Sequence, residues 1–174
     1  MKTLKIAIQK SGRLNEKSVE LLKNSGFSFD NYKSSLISPV SNFPLEILFL
    51  RDDDIPEYVR DGIADLGIAG ENVIKESGVE VNHLVPLGFG KCTMKIAVPV
   101  ITDIVSIADL HGKSIATSYP LILEDFLLKH SIKADIRTIS GSVEISTNLG
   151  LSHAICDIVS TGGTLKSNGL MPFC

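Results

Sequence analysis

The sequence is short of cationic charge. Seventeen Lys and Arg face twenty Asp and Glu, the net charge is -3 and the pI is near 5.8, which argues against a general nucleic-acid-binding surface. It is also short of cysteine. Cys92, Cys156 and Cys174 are odd in number, far apart and contain no C-x-x-C pair, so neither a zinc ribbon nor a disulfide framework is indicated. A reducing cytoplasm is the setting that fits. No apolar run is long enough to span a membrane. The short run after Met1 is too brief for a signal sequence, and Gln9-Lys10-Ser11-Gly12-Arg13 interrupts it. His83, His111, His130 and His153 show no metal-ligand spacing and imply no Ser/His/Asp set, so no metal ligands are assigned. Repeats and low-complexity tracts are missing too.

What is present is an ordinary globular chain: 174 residues, 44% hydrophobic and 21% charged, enough for one large domain or two small lobes. Residues 4–9 predict a buried strand, followed by the turn Lys10-Ser11-Gly12-Arg13. Asn15 is placed to cap a helix reaching about Asn24, with Val19 and Leu22 on one face and Gly26 as its stop. After a polar stretch over 34–42, residues 45–50 predict a second buried strand, with Arg51-Asp52-Asp53-Asp54 at its carboxyl end. Pro56 opens a short helix that Gly62 closes; residues 64–69 predict a third strand, and Gly70-Glu71-Asn72 starts another helix. After the glycine-rich crossing at 88–92, strands are predicted at 94–98, 113–117 and 134–139. Helical segments start at Ser106, Tyr119 and Gly141. Apolar strands alternating with helices predict mostly parallel sheets covered on both faces, in two α/β lobes at about 1–91 and 92–174. Ligands of such a pair are expected in the cleft between the lobes, at strand carboxyl ends.

The most informative stretch is 154–165, Ala-Ile-Cys-Asp-Ile-Val-Ser-Thr-Gly-Gly-Thr-Leu. It predicts a buried strand, a tight turn of small residues and the first turn of a helix. Free N–H groups at such a turn can hold a phosphate, and Asp157 stands where it can accept hydrogen bonds from sugar hydroxyls. Four further clusters fall at predicted strand ends. Lys10-Ser11-Gly12-Arg13 either grips a polyphosphate or is a basic surface turn. Arg51 is a charge set directly after a buried strand, and Asp54 after it is a helix cap or dipole partner more simply than a metal ligand. Gly70 and Glu71 sit where a glycine permits close ligand approach or tight packing. Thr117, Ser118 and Tyr119 either bind an anion and stack on a base or cap the following helix. Cys156, inside a buried strand, reads as core.

In order along the chain stand Gln9-Lys10-Ser11-Gly12-Arg13-Leu14, Arg51-Asp52-Asp53-Asp54-Ile55-Pro56, Asp65-Leu66-Gly67-Ile68-Ala69-Gly70-Glu71-Asn72, Ile115-Ala116-Thr117-Ser118-Tyr119-Pro120 and the stretch from Asp157 to Leu170. Together they resemble the catalytic subunit of ATP phosphoribosyltransferase, the first enzyme of histidine biosynthesis, in its long-form branch. The resemblance implies a fold like a type II periplasmic binding protein. It also implies condensation of adenine N1 of ATP with phosphoribosyl pyrophosphate, releasing pyrophosphate, with Mg²⁺. By the same resemblance Ser160, Thr161, Gly162, Gly163 and Thr164 hold the 5-phosphate and Asp157 the ribose hydroxyls. Lys10, Ser11, Gly12, Arg13 and Arg51 line the pyrophosphate and nucleotide side, with Lys10, Arg13 and Arg51 catalytic, and Gly70, Glu71 and Tyr119 lie near the cleft. Homo-oligomers, dimers or higher, are expected.

Two segments depart from the family's pattern. Ser146-Thr147-Asn148 stands where Ala-Pro is usual, and in Leu151-Ser152-His153-Ala154-Ile155 a histidine replaces an acid. The family also continues past the point corresponding to Cys174. The resemblance therefore implies a truncated chain whose first lobe lacks closing elements and whose histidine feedback is absent. Two alternatives stay open: an inactive remnant, and a solute-binding module that holds a small anion without catalysis.

Overall fold

The structure is a computed structural model that describes residues 2–30, 35–159 and 162–174. The chain divides into two units, Met1–Gly90 and Lys91–Cys174.

In the first unit, strand β1 (Leu4–Gln9) is apolar on both faces and buries both. Ile6 and Ile8 pack with Leu22 of helix α1 (Arg13–Asn24), while Ala7, out of phase by one residue, meets Ile55 and Ala64 on the other side. A strand covered twice is what a parallel sheet between helices requires. Strand β2 (Ile37–Pro39) runs antiparallel to β3 (Leu45–Leu50), which pairs in parallel with β1 from Leu4↔Leu45 to Gln9↔Leu50. Helix α2 (Ile55–Arg60) leads to β4 (Leu66–Ile68), parallel to β1 on its free side, and α3 (Glu71–Ser77) follows. The sheet order is β2-β3-β1-β4, so β1 is central. The chain passes from β1 through α1 to β2 and β3 on one side of it, then through α2 to β4 on the other side, and the carboxyl ends of β1, β3 and β4 lie at one edge.

Three expectations change here. Asn15 is not the cap of α1. Gly12 holds that position at φ +91°, a left-handed conformation that favours glycine, and the Asn15 amide donates back to the Gln9 carbonyl at 2.6 Å. The polar stretch at 34–42 contains β2. The third strand shortens to Leu66–Ile68 because Ala64 closes the turn after α2, its N–H donating to Tyr58 at 2.9 Å. Asp65 is also occupied: it accepts from the Lys5 N–H at 2.9 Å and from Lys2 Nζ at 2.8 Å.

The second unit opens with β5 (Thr93–Pro99). A 3₁₀ turn, Ile107–Leu110, starts at Ser106, whose side chain and backbone exchange hydrogen bonds with Asp109 in a capping box. Then come β6 (Ser114–Thr117), α4 (Pro120–Lys129), β7 (Asp135–Thr138), β8 (Ala154–Val159), α5 (Gly163–Ser167) and β9 (Leu170–Pro172). The helix expected from Gly141 is a single 3₁₀ turn, Val143–Ile145. The order is β7-β6-β8-β5-β9. Strand β6 is parallel to β7 and β8, whereas β5 is antiparallel to both β8 and β9. This sheet is therefore evenly mixed rather than mostly parallel. Strand β5 is inserted between β8 and the strand that β8 reaches through α5, so it must run against both. Its two faces are again both covered. Ile96, Val98, Ile115, Leu123 and Leu127 fill one core, and Ala97, Ala116, Ile155, Leu165 and Leu170 fill the other. Cys156 is buried at 2% exposure in the first of these cores, as expected.

Candidate functional site

In the first unit the parallel register carries three of the clusters to one sheet edge. Lys10 follows the last paired residue of β1, and its N–H donates to the Leu50 carbonyl at 2.7 Å, so it stands beside Arg51 on the neighbouring strand. Ile8 pairs with Ile68, which places Gly70 two residues past that pairing on the other side of β1. Lys10, Ser11, Gly12 and Arg13 are exposed there, and Arg13 is the first residue of α1 rather than part of the turn. Arg51 is extended, and its guanidinium reaches Asp53 at 2.9 Å with both side chains well exposed. An exposed pair of this kind contributes little, so an incoming phosphate can recruit the guanidinium at small cost. Asp52–Asp54 form a 3₁₀ turn, and Asp54 makes no side-chain cap bond to α2. Gly70 is the N-cap of α3 in an ordinary extended conformation, and Glu71 is exposed at its first position.

In the second unit the edge is built by β6, β7 and β8, whose carboxyl ends align through Thr117↔Thr138 and Thr117↔Cys156. The hydroxyls after β6 have structural work. Thr117 Oγ1 accepts the Tyr119 N–H at 2.9 Å, and Ser118 Oγ donates to the Ile139 carbonyl at 2.6 Å, tying two loops of that edge together. Capping of α4 by a side chain is not observed; Tyr119 occupies the cap position and Pro120 opens the helix.

Asp157 is the half-buried charge of this edge. One carboxylate oxygen accepts the Ile158 N–H at 2.7 Å. Burial pushes its pKa up from the ordinary carboxylate value; the Ile158 N–H opposes that shift and the charge of Glu144 adds to it. The carboxylate is thus held with its charge incompletely compensated, the state in which donors from a polyhydroxyl ligand are most favourable. Beyond β8, Ser160 and Thr161 lie outside the described residues. Gly162 is the N-cap of α5 at φ +74°, and a Cβ there would sit 3.9 Å from Val159 Cγ1. Gly163 and Thr164 are exposed at the start of α5. That helix is five residues long, so its free N–H groups matter more than any dipole summed along it.

Sequence reasoning passed over two residues of this edge. Lys95 pairs across the β5–β8 ladder with Asp157, and Glu144 sits in the 3₁₀ turn close enough to raise the Asp157 pKa. The available signal was a single charged residue inside the mostly apolar strand Thr93–Pro99.

Comparisons with known proteins bear on family and fold. The family model of ATP phosphoribosyltransferase (HisG) matches residues 51–174. The ATP phosphoribosyltransferase of Cytophaga hutchinsonii is 54% identical over 167 residues, covering 96% of this chain and 58% of that protein. The chain thus spans somewhat over half the length of the curated relatives it matches. Among solved structures, the ATP phosphoribosyl transferase (HisG:HisZ) complex from Thermotoga maritima superposes with a TM-score of 0.83 at 30% identity, covering 98% of this chain and 81% of that one. An ancestral arginine-binding protein bound to glutamine superposes at a TM-score of 0.59 with 16% identity, covering 99% and 78%, which shows a shared fold of the periplasmic-binding-protein kind. By its family match, its sequence identity and its fold, the chain belongs to the ATP phosphoribosyltransferase family.

Proposed function

We propose that the chain carries the substrate-binding and catalytic residues of ATP phosphoribosyl transfer: attack of adenine N1 of ATP on C1 of phosphoribosyl pyrophosphate. A C–N bond forms at C1, the C1–O bond breaks, and its electron pair leaves with pyrophosphate. The observation that carries this reading is the edge of the second unit. There β8 delivers a half-buried, undercompensated Asp157 directly before a turn closed by a left-handed Gly162. A carboxylate for ribose hydroxyls next to a turn of small residues for a phosphate is the recognition a phosphoribosyl group needs.

Adenine N1 is already nucleophilic, so the reaction calls for no protein nucleophile. Its barrier lies in charge developing on the departing pyrophosphate and on an oxocarbenium-like C1. Lys10, Arg13 and Arg51 supply cations of the kind the leaving group requires, and Arg51 can exchange the Asp53 carboxylate for a phosphate. Gly162, Gly163 and Thr164, with Ser160 and Thr161, take the 5-phosphate; Ser11 and Gly12 adjoin the pyrophosphate; Gly70, Glu71 and Tyr119 border the nucleotide.

Mg²⁺ belongs to this reading. When bound it neutralises charge on the pyrophosphate. Among the described residues no group of three or more His, Cys, Asp or Glu could hold a metal ion. In this reading the ion is carried mainly on substrate phosphates. Self-association as a dimer or higher and a cytoplasmic setting complete the reading. No described helix is long and apolar enough to cross a membrane.

The test is direct. Purified chain is mixed with ATP, phosphoribosyl pyrophosphate and Mg²⁺, and phosphoribosyl-ATP is followed by ultraviolet absorbance. Product supports transfer. Binding of both substrates without product leaves a binding module, the alternative that the solute-binding-protein fold keeps in view.

A further inference from the structure

Strand β1 ends in a peptide group that is held from both sides. Its N–H belongs to Lys10 and donates to the Leu50 carbonyl at 2.7 Å. Its carbonyl belongs to Gln9 and accepts from the Asn15 side-chain amide at 2.6 Å. A peptide group is planar, so bonds at both of its polar atoms fix its orientation, and with it the direction in which the chain leaves the sheet. Lys10 is the residue launched from that plane.

Asn15 lies in the first turn of α1, the helix that Arg13 opens. Between β1 and that helix stand only Lys10, Ser11 and Gly12. Gly12 is left-handed at φ +91°, and its carbonyl accepts the Glu16 N–H at 3.1 Å as the helix begins. The Asn15 amide therefore ties the turn carrying Lys10 to the helical turn carrying Arg13. Asn15 is 7% exposed, whereas Lys10, Arg13 and Glu16 around it are exposed. Burying an amide in so exposed a segment is favourable only where the amide is bonded, and a carbonyl can accept only from its nitrogen.

We propose that Asn15 is a positioning residue for the cations Lys10 and Arg13, its bond to the Gln9 carbonyl holding both at the spacing that departing pyrophosphate requires. The proposal rests on the phosphoribosyl-transfer reading above and deepens it. Asn15 touches no substrate; it acts through the two side chains whose backbones it joins. Displacing such contacts by about 1 Å costs on the order of 100-fold in rate without removing either charge.

Isothermal calorimetry with inorganic pyrophosphate and Mg²⁺ reads these cations without turnover. Asn15→Leu keeps the bulk of the side chain and removes the donor, and Asn15→Ala removes both, so agreement between them isolates the donor. The expected result is pyrophosphate binding weakened about tenfold in each, measured well below the melting temperature of the variant. In a chain already carrying Arg13→Ala, Asn15→Leu should weaken binding by about threefold or less, because one of the contacts it positions is gone. A merely structural role gives the same factor in both backgrounds. Pyrophosphate binding within about twofold of wild type in both variants, or an undiminished tenfold loss on top of Arg13→Ala, overturns the role of Asn15. Wild-type chain that neither binds pyrophosphate nor forms phosphoribosyl-ATP overturns the underlying reading, and the proposal with it.

Discussion

The backbone N–H of Lys10 donates to the carbonyl of Leu50 at 2.7 Å, one step past the last paired residues of β1 and β3. This bond sets the cation after β1 beside Arg51, the cation after β3. Two basic residues 41 positions apart in sequence are thereby fixed to neighbouring strands of one sheet edge. If they stabilise departing pyrophosphate, Arg51→Ala lowers kcat by about 100-fold, as for other single electrostatic contacts made in the transition state, with a much smaller change in substrate affinity. Steady-state kinetics with both substrates varied measures the split. An effect confined to KM would make Arg51 a binding residue only.

Asp157 is buried at a cost in stability. Its pKa is raised in the fold, so between the unfolded and folded values the native state holds more protons than the unfolded state. Stability then falls as pH rises through that window. Asp157→Asn removes the cost and keeps an oxygen that can accept from the Ile158 N–H. It should melt higher than wild type at pH 7, with the gain vanishing below the unfolded carboxylate value of about 3.9. The same variant should lose phosphoribosyl pyrophosphate affinity by calorimetry. Asp65, Asp103 and Asp109 behave in the opposite sense: hydrogen bonds from Lys2, Lys113 and Ser106 are the largest causes lowering their pKa values, so their contribution is present at neutral pH and lost on acidification.

Two glycines near the first edge separate packing from ligand approach. A Cβ at Gly67 would sit 2.8 Å from Ile55 Cγ2 and 2.9 Å from Val59 Cγ2, because β4 lies directly against α2. Gly67→Ala should cost about 1–3 kcal/mol in urea unfolding. At Gly70 the nearest obstruction is the end of the Asn72 side chain, at 2.6 Å, and φ is -72°. Gly70→Ala should change stability by no more than about 0.5 kcal/mol. A fall in ATP affinity in that variant would then report ligand contact at Gly70.

His153 explains one departure from the family pattern. Its Nδ1 accepts the Ser114 N–H at 3.1 Å and lies 2.8 Å from Ser114 Oγ, while its own N–H donates to the Ser114 carbonyl at 2.9 Å. The ring is a local acceptor joining the starts of β6 and β8, far along the strand from Asp157. Leaving the part-buried Ser114 N–H unpaired in His153→Ala should cost about 1–3 kcal/mol. His153→Asp, which restores an acceptor, should recover most of that loss in the same unfolding measurement.

The fold was legible wherever strands are long and apolar. Residues 4–9 and 45–50 read as strands and are strands, because burial on two faces leaves a continuous hydrophobic run. The reading failed for β2 and β9. Each is three residues long and ends in a proline, and pairing with a neighbouring strand, rather than local pattern, makes them strands. It failed for Asn15, whose amide is drawn to Gln9 by the tertiary placement of α1 after β1. The clusters of the candidate site were visible as polar residues at strand ends. The pairing of Lys95 with Asp157 was not, because it depends on an antiparallel register across more than sixty residues. The hydroxyls of Thr117 and Ser118 look available in sequence; the loops around them consume both.

The central claim is transfer of a phosphoribosyl group to adenine N1, and the ultraviolet assay with ATP, phosphoribosyl pyrophosphate and Mg²⁺ tests it most directly. The account predicts phosphoribosyl-ATP formed by the wild-type chain in proportion to its concentration, and loss of that product in Asp157→Ala and Arg51→Ala. Absence of product from wild-type chain that binds both substrates, or full turnover by both variants, would contradict it.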